Sequence, residues 1–337
     1  MPQSFTTRAY SMCGFSQKTI RFCWMMKRMG HSVFLYSGPE NEAMCDEHIV
    51  VSTEEDQKYI TAGNHYVYPS WFAQNPVWVK TNQTVADEIG KRKEKGDFVC
   101  ILGGNCQKML ADLLPDLKVV EYGIGYEGFF SKWKVFESNA WRSYCTGRWM
   151  NDKFPNPHDQ VIHAFYDDLE YVRNIPKKPY ALFVGRVVAA KGVEDACLAC
   201  ERAGVPLKVA GTGNPKLVGR GAEYLGEVSL KDKLNLMGEA MVLMAPTRSF
   251  EPFGNVACEA QLSGTPVIST NWGGFIETVE TGRTGFRCSS IDEMVRALKA
   301  VDRLDRAYII NRAIQMFSMR MRMFEYDSYF RNLSLVE

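Results

Sequence analysis

The sequence predicts an α/β protein made of two Rossmann-like, doubly wound domains facing a central cleft. Three observations carry that expectation. Short apolar runs alternate with helix-period segments twice along the chain, the pattern of parallel βαβ units. A charged, proline-containing stretch at 173–179 (RNIPKKP) separates the two series. At 337 residues the chain is long for one core and suits two.

In the first series, 7–12 reads as a strand, 16–29 as a helix and 32–36 as a strand. The strand 98–102, the helix 107–113 and the strand 118–121 follow, and a domain over 1–172 results. After the linker at 173–179 the second domain spans 180–318. Its strands are 180–184, 207–210, 242–245 and 266–270, with a helix at 193–203. The tail 319–337 reads as a helix returning to the N-terminal domain, with Met319, Met323 and Phe324 as its packing stripe.

A 46% hydrophobic and 12% aromatic composition belongs to a folded globular chain. The net charge of +1 supplies no global field for nucleic acid, although the halves differ. Residues 1–170 carry 18 Lys and Arg against 21 Asp and Glu, and the remainder 22 against 18. The N-terminus lacks a signal-peptide pattern, and no apolar run reaches membrane-span length. The ten cysteines lack secreted-type framing, and Cys197-x-x-Cys200 falls inside a helical pattern as a packed, reduced pair. A cytoplasmic protein is expected.

The segment Glu251-Pro-Phe253-Gly254-Asn255-Val256-Ala-Cys-Glu259 sets two carboxylates eight positions apart around a turn that opens a helix. Free N–H groups and a partial positive charge at a helix start seat a phosphate. Flanking carboxylates suit the hydroxyls of a nucleotide sugar. Arg186 and Lys191, five apart on a strand-to-helix loop, are placed to meet a diphosphate.

Phe183-Val-Gly185-Arg186, Lys191-Gly192, Val209-Ala-Gly211-Thr-Gly213, Tyr224-Leu-Gly226-Glu227-Val228, the paired glutamates, Gly264-Thr-Pro-Val-Ile268, Trp272-Gly-Gly274 and Glu277 occur in one order. Over roughly 180–290 this resembles the retaining GT-B glycosyltransferases of the GT4 (glycogen-synthase-like) type. The resemblance implies that Arg186 and Lys191 neutralise the leaving diphosphate and Glu251 binds donor-sugar hydroxyls. It implies that Glu259 holds the ribose, that Phe253, Gly254, Asn255 and Val256 hold sugar and phosphate, and that Gly226, Glu227 and Val228 line the base. Gly185 and Gly211 belong to the same donor site. Gly14 and Ser16, in a loop at 13–16, would close over the β-phosphate.

The implied donor is a UDP-sugar, UDP-glucose by default. No metal is implied, and the chain has no Asp-x-Asp to hold one. The chain departs from the resemblance at 120–127 (VEYGIGYE), where many members carry a histidine. Glu121 or Glu127 is left as the acceptor base, against a surface pairing with Lys132 or Lys134. His163 reads as structural.

A lone Gly14 in place of G-x-G-x-x-G argues against a dehydrogenase. A non-catalytic nucleotide-sugar-binding protein is the alternative from another class. Three acceptors stay open. One is a lipid-linked or cell-surface glycan, for which the basic, apolar 16–29 helix could rest peripherally on a membrane, although its apolar residues more simply pack on the sheet. Another is a soluble small molecule or protein. The third is a 5-hydroxymethylated pyrimidine in DNA, since YSMCGFSQKT and VEYGIGYEG resemble phage and environmental-virus glycosyltransferases. Lys91, Arg92, Lys93 and Lys95, and Lys132, Lys134, Arg142 and Arg148, would form its phosphate track.

Overall fold

In the computed structural model, which describes residues 6–10, 13–62, 72–149, 156–173 and 175–336, both alternating series form parallel sheets. The chain divides into two compact units, one of 1–137, 144–162 and 322–337, the other of 138–143 and 163–321.

The first unit begins with α1 (Gly14–Arg28), β1 (Phe34–Ser37), β2 (Glu47–Val50), α2 (Glu54–Thr61) and α3 (Pro76–Gly90). β3 (Phe98–Ile101), α4 (Lys108–Leu113), β4 (Lys118–Ile124) and β5 (Trp133–Phe136) follow, then α5 (Asn139–Trp149) and the short β6 (Gln160–Val161). β1 pairs with β2, and β3-β4-β5-β6 form a four-stranded sheet. Two helices that the periodicity did not reveal are set by their caps. Thr53 and Asp56 make a reciprocal capping box for α2, and Asn75 with Pro76 starts α3.

The second unit holds β7 (Lys178–Val184), α6 (Val193–Ala203), β8 (Leu207–Ala210), β9 (Ala222–Gly226), α7 (Leu230–Glu239) and β10 (Ala240–Ala245). It continues with α8 (Asn255–Leu262), β11 (Val267–Thr270), α9 (Phe275–Thr278), β12 (Gly285–Cys288), α10 (Ile291–Leu298) and α11 (Arg306–Phe317). α12 (Met319–Ser334) passes into the first unit after Met321. The six strands form one parallel sheet in the order β12-β11-β10-β7-β8-β9. Their apolar runs are buried on both faces, as parallel strands require, and Phe183, Val209, Val242 and Ile268 join one core. The chain enters at β7, works outward to β9, then returns to β10 on the other side. The strand order therefore reverses between β7 and β10.

Several expectations are corrected. The strand expected at 7–12 is a 3₁₀ turn at Arg8–Tyr10 beside a single bridge from Thr6 to Asn41, and residues 11 and 12 lie outside the described residues. Residues 14–16 are the first turn of α1 rather than a loop. The apolar residues of that helix pack on the sheet: Ile20, Phe22, Met25 and Met26 are buried, and Phe22 stacks on Tyr122 of β4 at 3.9 Å. Its cations are occupied too. Lys18 pairs with Glu137 at 2.8 Å, Lys27 with Asp46 at 2.7 Å, and Arg28 lies over Trp24. The membrane reading of this helix loses its physical basis. On α12, Met319 is buried and Met323 half-buried as expected, but Phe324 is 74% exposed and the packing face continues through Tyr326, Tyr329, Phe330 and Leu333. Cys200 packs in the second unit's core, and Cys197 accepts from the Gly219 amide.

The stretch read as a linker is bolted to the second unit, whose boundary lies earlier, between 162 and 163. Lys178 already belongs to β7. Arg173 donates to the Leu262 carbonyl at 2.9 Å. Lys177 donates to the carbonyls of Gly238 and Ser263 and to Thr265 Oγ1, at 2.6, 3.2 and 2.7 Å. Both cations thus sit on the otherwise unpaired C-terminal carbonyls of α7 and α8. Burial, helped by Arg306, pushes the Lys177 ammonium down to about 8.

The folded chain therefore releases this proton before the unfolded chain does, so its stability rises with pH between about 8 and 10.5. Denaturant melts of the wild type and Lys177→Met at pH 7.5, 9 and 10.5 should show the wild type gaining about 1–2 kcal/mol on the variant across that window. Below pH 8 the difference should be flat.

Candidate active site

Two loops leave the carboxyl ends of β7 and β10, where the strand order reverses and open α/β sheets bind ligands. The first carries Gly185, Arg186 and Lys191, and the second carries Glu251. The structure brings Lys191 and Glu251 together, with Nζ 2.6 Å from a carboxylate oxygen and both side chains largely buried. Arg186, at the start of its loop, is exposed and has no ion-pair partner among the described residues. Its guanidinium remains available to an anion.

The strand ends beside this loop are joined by their backbones. Gly185 N donates to Ala210 O at 3.0 Å, and Gly211 N to Gly226 O at 2.7 Å. A side chain at Gly211 would lie 1.9 Å from the Gly185 carbonyl oxygen, so this approach needs glycine. Glu227 and Val228 follow at the end of the outermost strand, exposed and half-exposed.

Pro252 and Gly254 deliver the chain from Glu251 into α8. Gly254 occupies the N-cap position without a side-chain cap, and the amides of Gly254, Asn255 and Val256 have no hydrogen-bond partner among the described residues. Phe253 is fully buried, so only its backbone can meet a ligand. Asn255 Oδ1 accepts from the Tyr166 hydroxyl at 2.5 Å, which turns its side chain away from the helix start. The turn at 272–274 clamps the loop from outside. Gly274 N donates to Glu251 O at 2.7 Å, and a Cβ on Gly273 (φ +62°) would lie 2.5 Å from that oxygen.

Glu259, on the second turn of α8, is buried, and both its oxygens receive Lys233 Nζ of α7, at 3.2 and 3.3 Å. Sequence reasoning missed Lys233, because an isolated lysine in an amphipathic helix gives no periodic signal.

Glu277 forms a second, half-buried cluster. It accepts from the amides of Asn139 and Ala140 at 3.1 and 2.8 Å and lies 3.3 Å from His163 Nε2. His163 also packs on the Phe253 ring, which gives it a structural place. Burial raises the Glu277 carboxyl, but hydrogen bonds from His163, Ala140 and Asn139 outweigh it and hold the group at about 2.

In the first unit the expected residues separate. Ser16 is 2% exposed and its hydroxyl donates to Cys13 Sγ, so it offers no hydroxyl to a phosphate, whereas Gly14 is exposed. Glu121 is fully buried and accepts from the amides of Phe130 and Ser131 at 2.8 and 2.7 Å and from the Tyr126 hydroxyl. Burial keeps its carboxyl raised despite these donors. It pins the loop after β4 and is neither a surface pair nor within reach of an acceptor. Lys134 is buried against Asp159 at 3.0 Å. Glu127 is exposed, with Tyr144 on one oxygen. Lys91, Arg92 and Lys93 pair at the surface with Glu88, Glu47 and Asp116, and Lys95 beside them is exposed. Among the described residues no group of three or more His, Cys, Asp or Glu is placed to hold a metal ion, and no helix is long and apolar enough to cross a membrane.

Residues 178–302 match the family model for glycosyl transferases group 1. Glycogen synthase of Mycobacterium tuberculosis is 35% identical over 126 residues, which span 33% of this chain and 30% of that enzyme. The chain thus spans less than a third of the length of that curated relative. Sucrose-phosphate synthase from Thermosynechococcus elongatus has a similar solved structure, with TM-score 0.75, 15% identity, and 99% of this chain and 98% of that one covered. Anabaena Alr3699/HepE, solved in complex with UDP and glucose, gives TM-score 0.65, 15% identity, and 93% and 96% coverage. These likenesses show the fold: parallel α/β, matching GT-B glycosyltransferases in both Rossmann-like halves.

The Glu277 cluster predicts a pH dependence. A carboxylate held below its ordinary range stabilises the fold above about pH 4.5, and that contribution is lost as pH falls through about 2. Glu277→Gln should cost about 1–2 kcal/mol at pH 7, less than the full shift because solvent partly screens the group. Urea melts of both proteins should show the gap narrowing by pH 3.

Proposed function

We propose that the chain is a retaining, metal-independent glycosyltransferase that moves a sugar from a nucleoside-diphosphate sugar, UDP-glucose by default, to an acceptor hydroxyl. The observation that carries this reading is the 2.6 Å contact of Lys191 with Glu251 where the strand order reverses, beside the free amides that open α8. The diphosphate gains negative charge as the bond to the sugar breaks. Lys191, Arg186 and the α8 amides present positive charge there, the electrostatic stabilisation that commonly dominates such steps. Once the diphosphate takes Lys191, Glu251 is released to accept from the donor sugar's hydroxyls. Glu259 accepts from the ribose, and the backbone at 226–228 faces the base. Arg186 and Lys191 supply the charge that a divalent cation supplies elsewhere, which is the ground for metal independence. Retention rests on the motif order at 180–290. The UDP and glucose bound by the Anabaena protein support a nucleotide-sugar donor here.

Glu127 is the surviving candidate for the acceptor base. The acceptor reading stays between a glycan or small-molecule hydroxyl and a hydroxymethylated base in DNA: Lys134 is buried against Asp159, whereas Lys95, Lys132 and Arg148 are exposed.

Nucleotide release over a donor panel, with glycan acceptors and with hydroxymethylcytosine DNA, tests both assignments. Release stimulated by one acceptor class identifies it. UDP binding without release from any donor makes the protein a binder. Glu251→Ala should lower transfer at least about 100-fold while UDP affinity stays within about three-fold. Glu259→Ala should weaken UDP about ten-fold. Equal loss of UDP affinity in the two variants, read by calorimetry, would overturn the division of roles.

A further inference from the structure

We infer that Lys233 is a positioning residue for nucleotide recognition, one that makes the site discriminate ribose from 2′-deoxyribose by holding the Glu259 carboxylate in one orientation. The inference rests on the reading that Glu259 meets the ribose. Lys233 is 3% exposed, on the face of α7 that also buries Met237 and Gly238. An ammonium in that place is costly unless paired, and an apolar side chain would fill the same volume at less cost. Stability alone therefore gives no reason for a lysine there. Its effect falls on Glu259, whose two oxygens lie at nearly equal distances, 3.2 and 3.3 Å, from one Nζ.

An ammonium that bridges both oxygens fixes the rotation of the carboxylate plane, and a carboxylate can accept more than one donor on each oxygen. A vicinal diol donating one hydroxyl to each oxygen meets an acceptor already oriented, and a 2′-deoxy sugar leaves one oxygen unmet. A site built around a hydroxyl rejects the analogue lacking it far better than an apolar pocket does.

The test uses the nucleoside diphosphate, among UDP, ADP and GDP, that binds the wild-type chain best, measured by calorimetry against its 2′-deoxy counterpart. The proteins are wild type, Lys233→Met, Lys233→Met/Glu259→Gln and Glu259→Ala. The double variant removes the unpaired charge that Lys233→Met leaves, so a folded comparison exists even where the single variant is unstable. The wild type should prefer the ribonucleotide about ten-fold or more. Lys233→Met and the double variant should both bring that preference to within about two-fold. A preference kept in either folded variant, or tighter binding on losing Lys233, would overturn the positioning role, the second by making the lysine a competitor of the ribose. If Glu259→Ala leaves both nucleotides unaffected, the ribose assignment fails, and the inference with it. Loss in Glu259→Ala with no change on removing Lys233 sinks the inference alone.

Discussion

The reversal of strand order between β7 and β10 is the constraint from which the site follows. Chains that leave adjacent parallel strands toward opposite faces of a sheet open a crevice between them without any residue being spent to hold it apart. The two loops that diverge there carry Lys191 and Glu251, and the pair closes across the gap. Glycine at 211 lets the neighbouring strand ends approach backbone to backbone, Gly185 with Ala210 and Gly211 with Gly226. The crevice is thus shaped by connectivity, and its chemistry is added by a few side chains at its edge.

Electrostatics around α8 complete the arrangement. The carbonyl end of the helix is satisfied by Arg173 and Lys177, cations from the stretch that precedes β7. Its amide end carries no capping side chain, and its first amides stay open. A short helix polarised in this way keeps its positive terminus for an anion while the opposite terminus is neutralised. The turn at 272–274 fixes the approach to that terminus by steric contact with the backbone of Glu251.

Much of the second unit could be read from its residues, because β7, β8, β10 and β11 are apolar runs and the motifs at 185–186, 211–213 and 251–259 follow strands. The first unit was less legible. α2 and α3 depend on caps at Thr53 and Asn75 more than on apolar period. Residues 173–179 have the composition of a linker, and nothing local to them says that helix ends elsewhere in the chain will accept their donors. Glu121 and Lys233 show the same limit at the level of single residues. A charged side chain looks alike in sequence whether it is solvated or buried, and only the fold supplies the amides of Phe130 and Ser131 or the carboxylate of Glu259.

The six residues 138–143 belong to the second unit although first-unit sequence flanks them on both sides. Asn139 and Ala140 feed their amides to Glu277, and Ser138 Oγ donates to the Pro252 carbonyl at 2.5 Å, inside the loop that carries Glu251. The second unit is therefore not a contiguous gene segment. A fragment cut at 163–321 would keep all the motifs and lose the peptide that holds Glu277 and Pro252. An autonomous version of that unit would have to carry 138–143 as a graft or through circular permutation. Domain exchange with other two-unit chains is constrained in the same way, since a single crossover point cannot transfer the site whole.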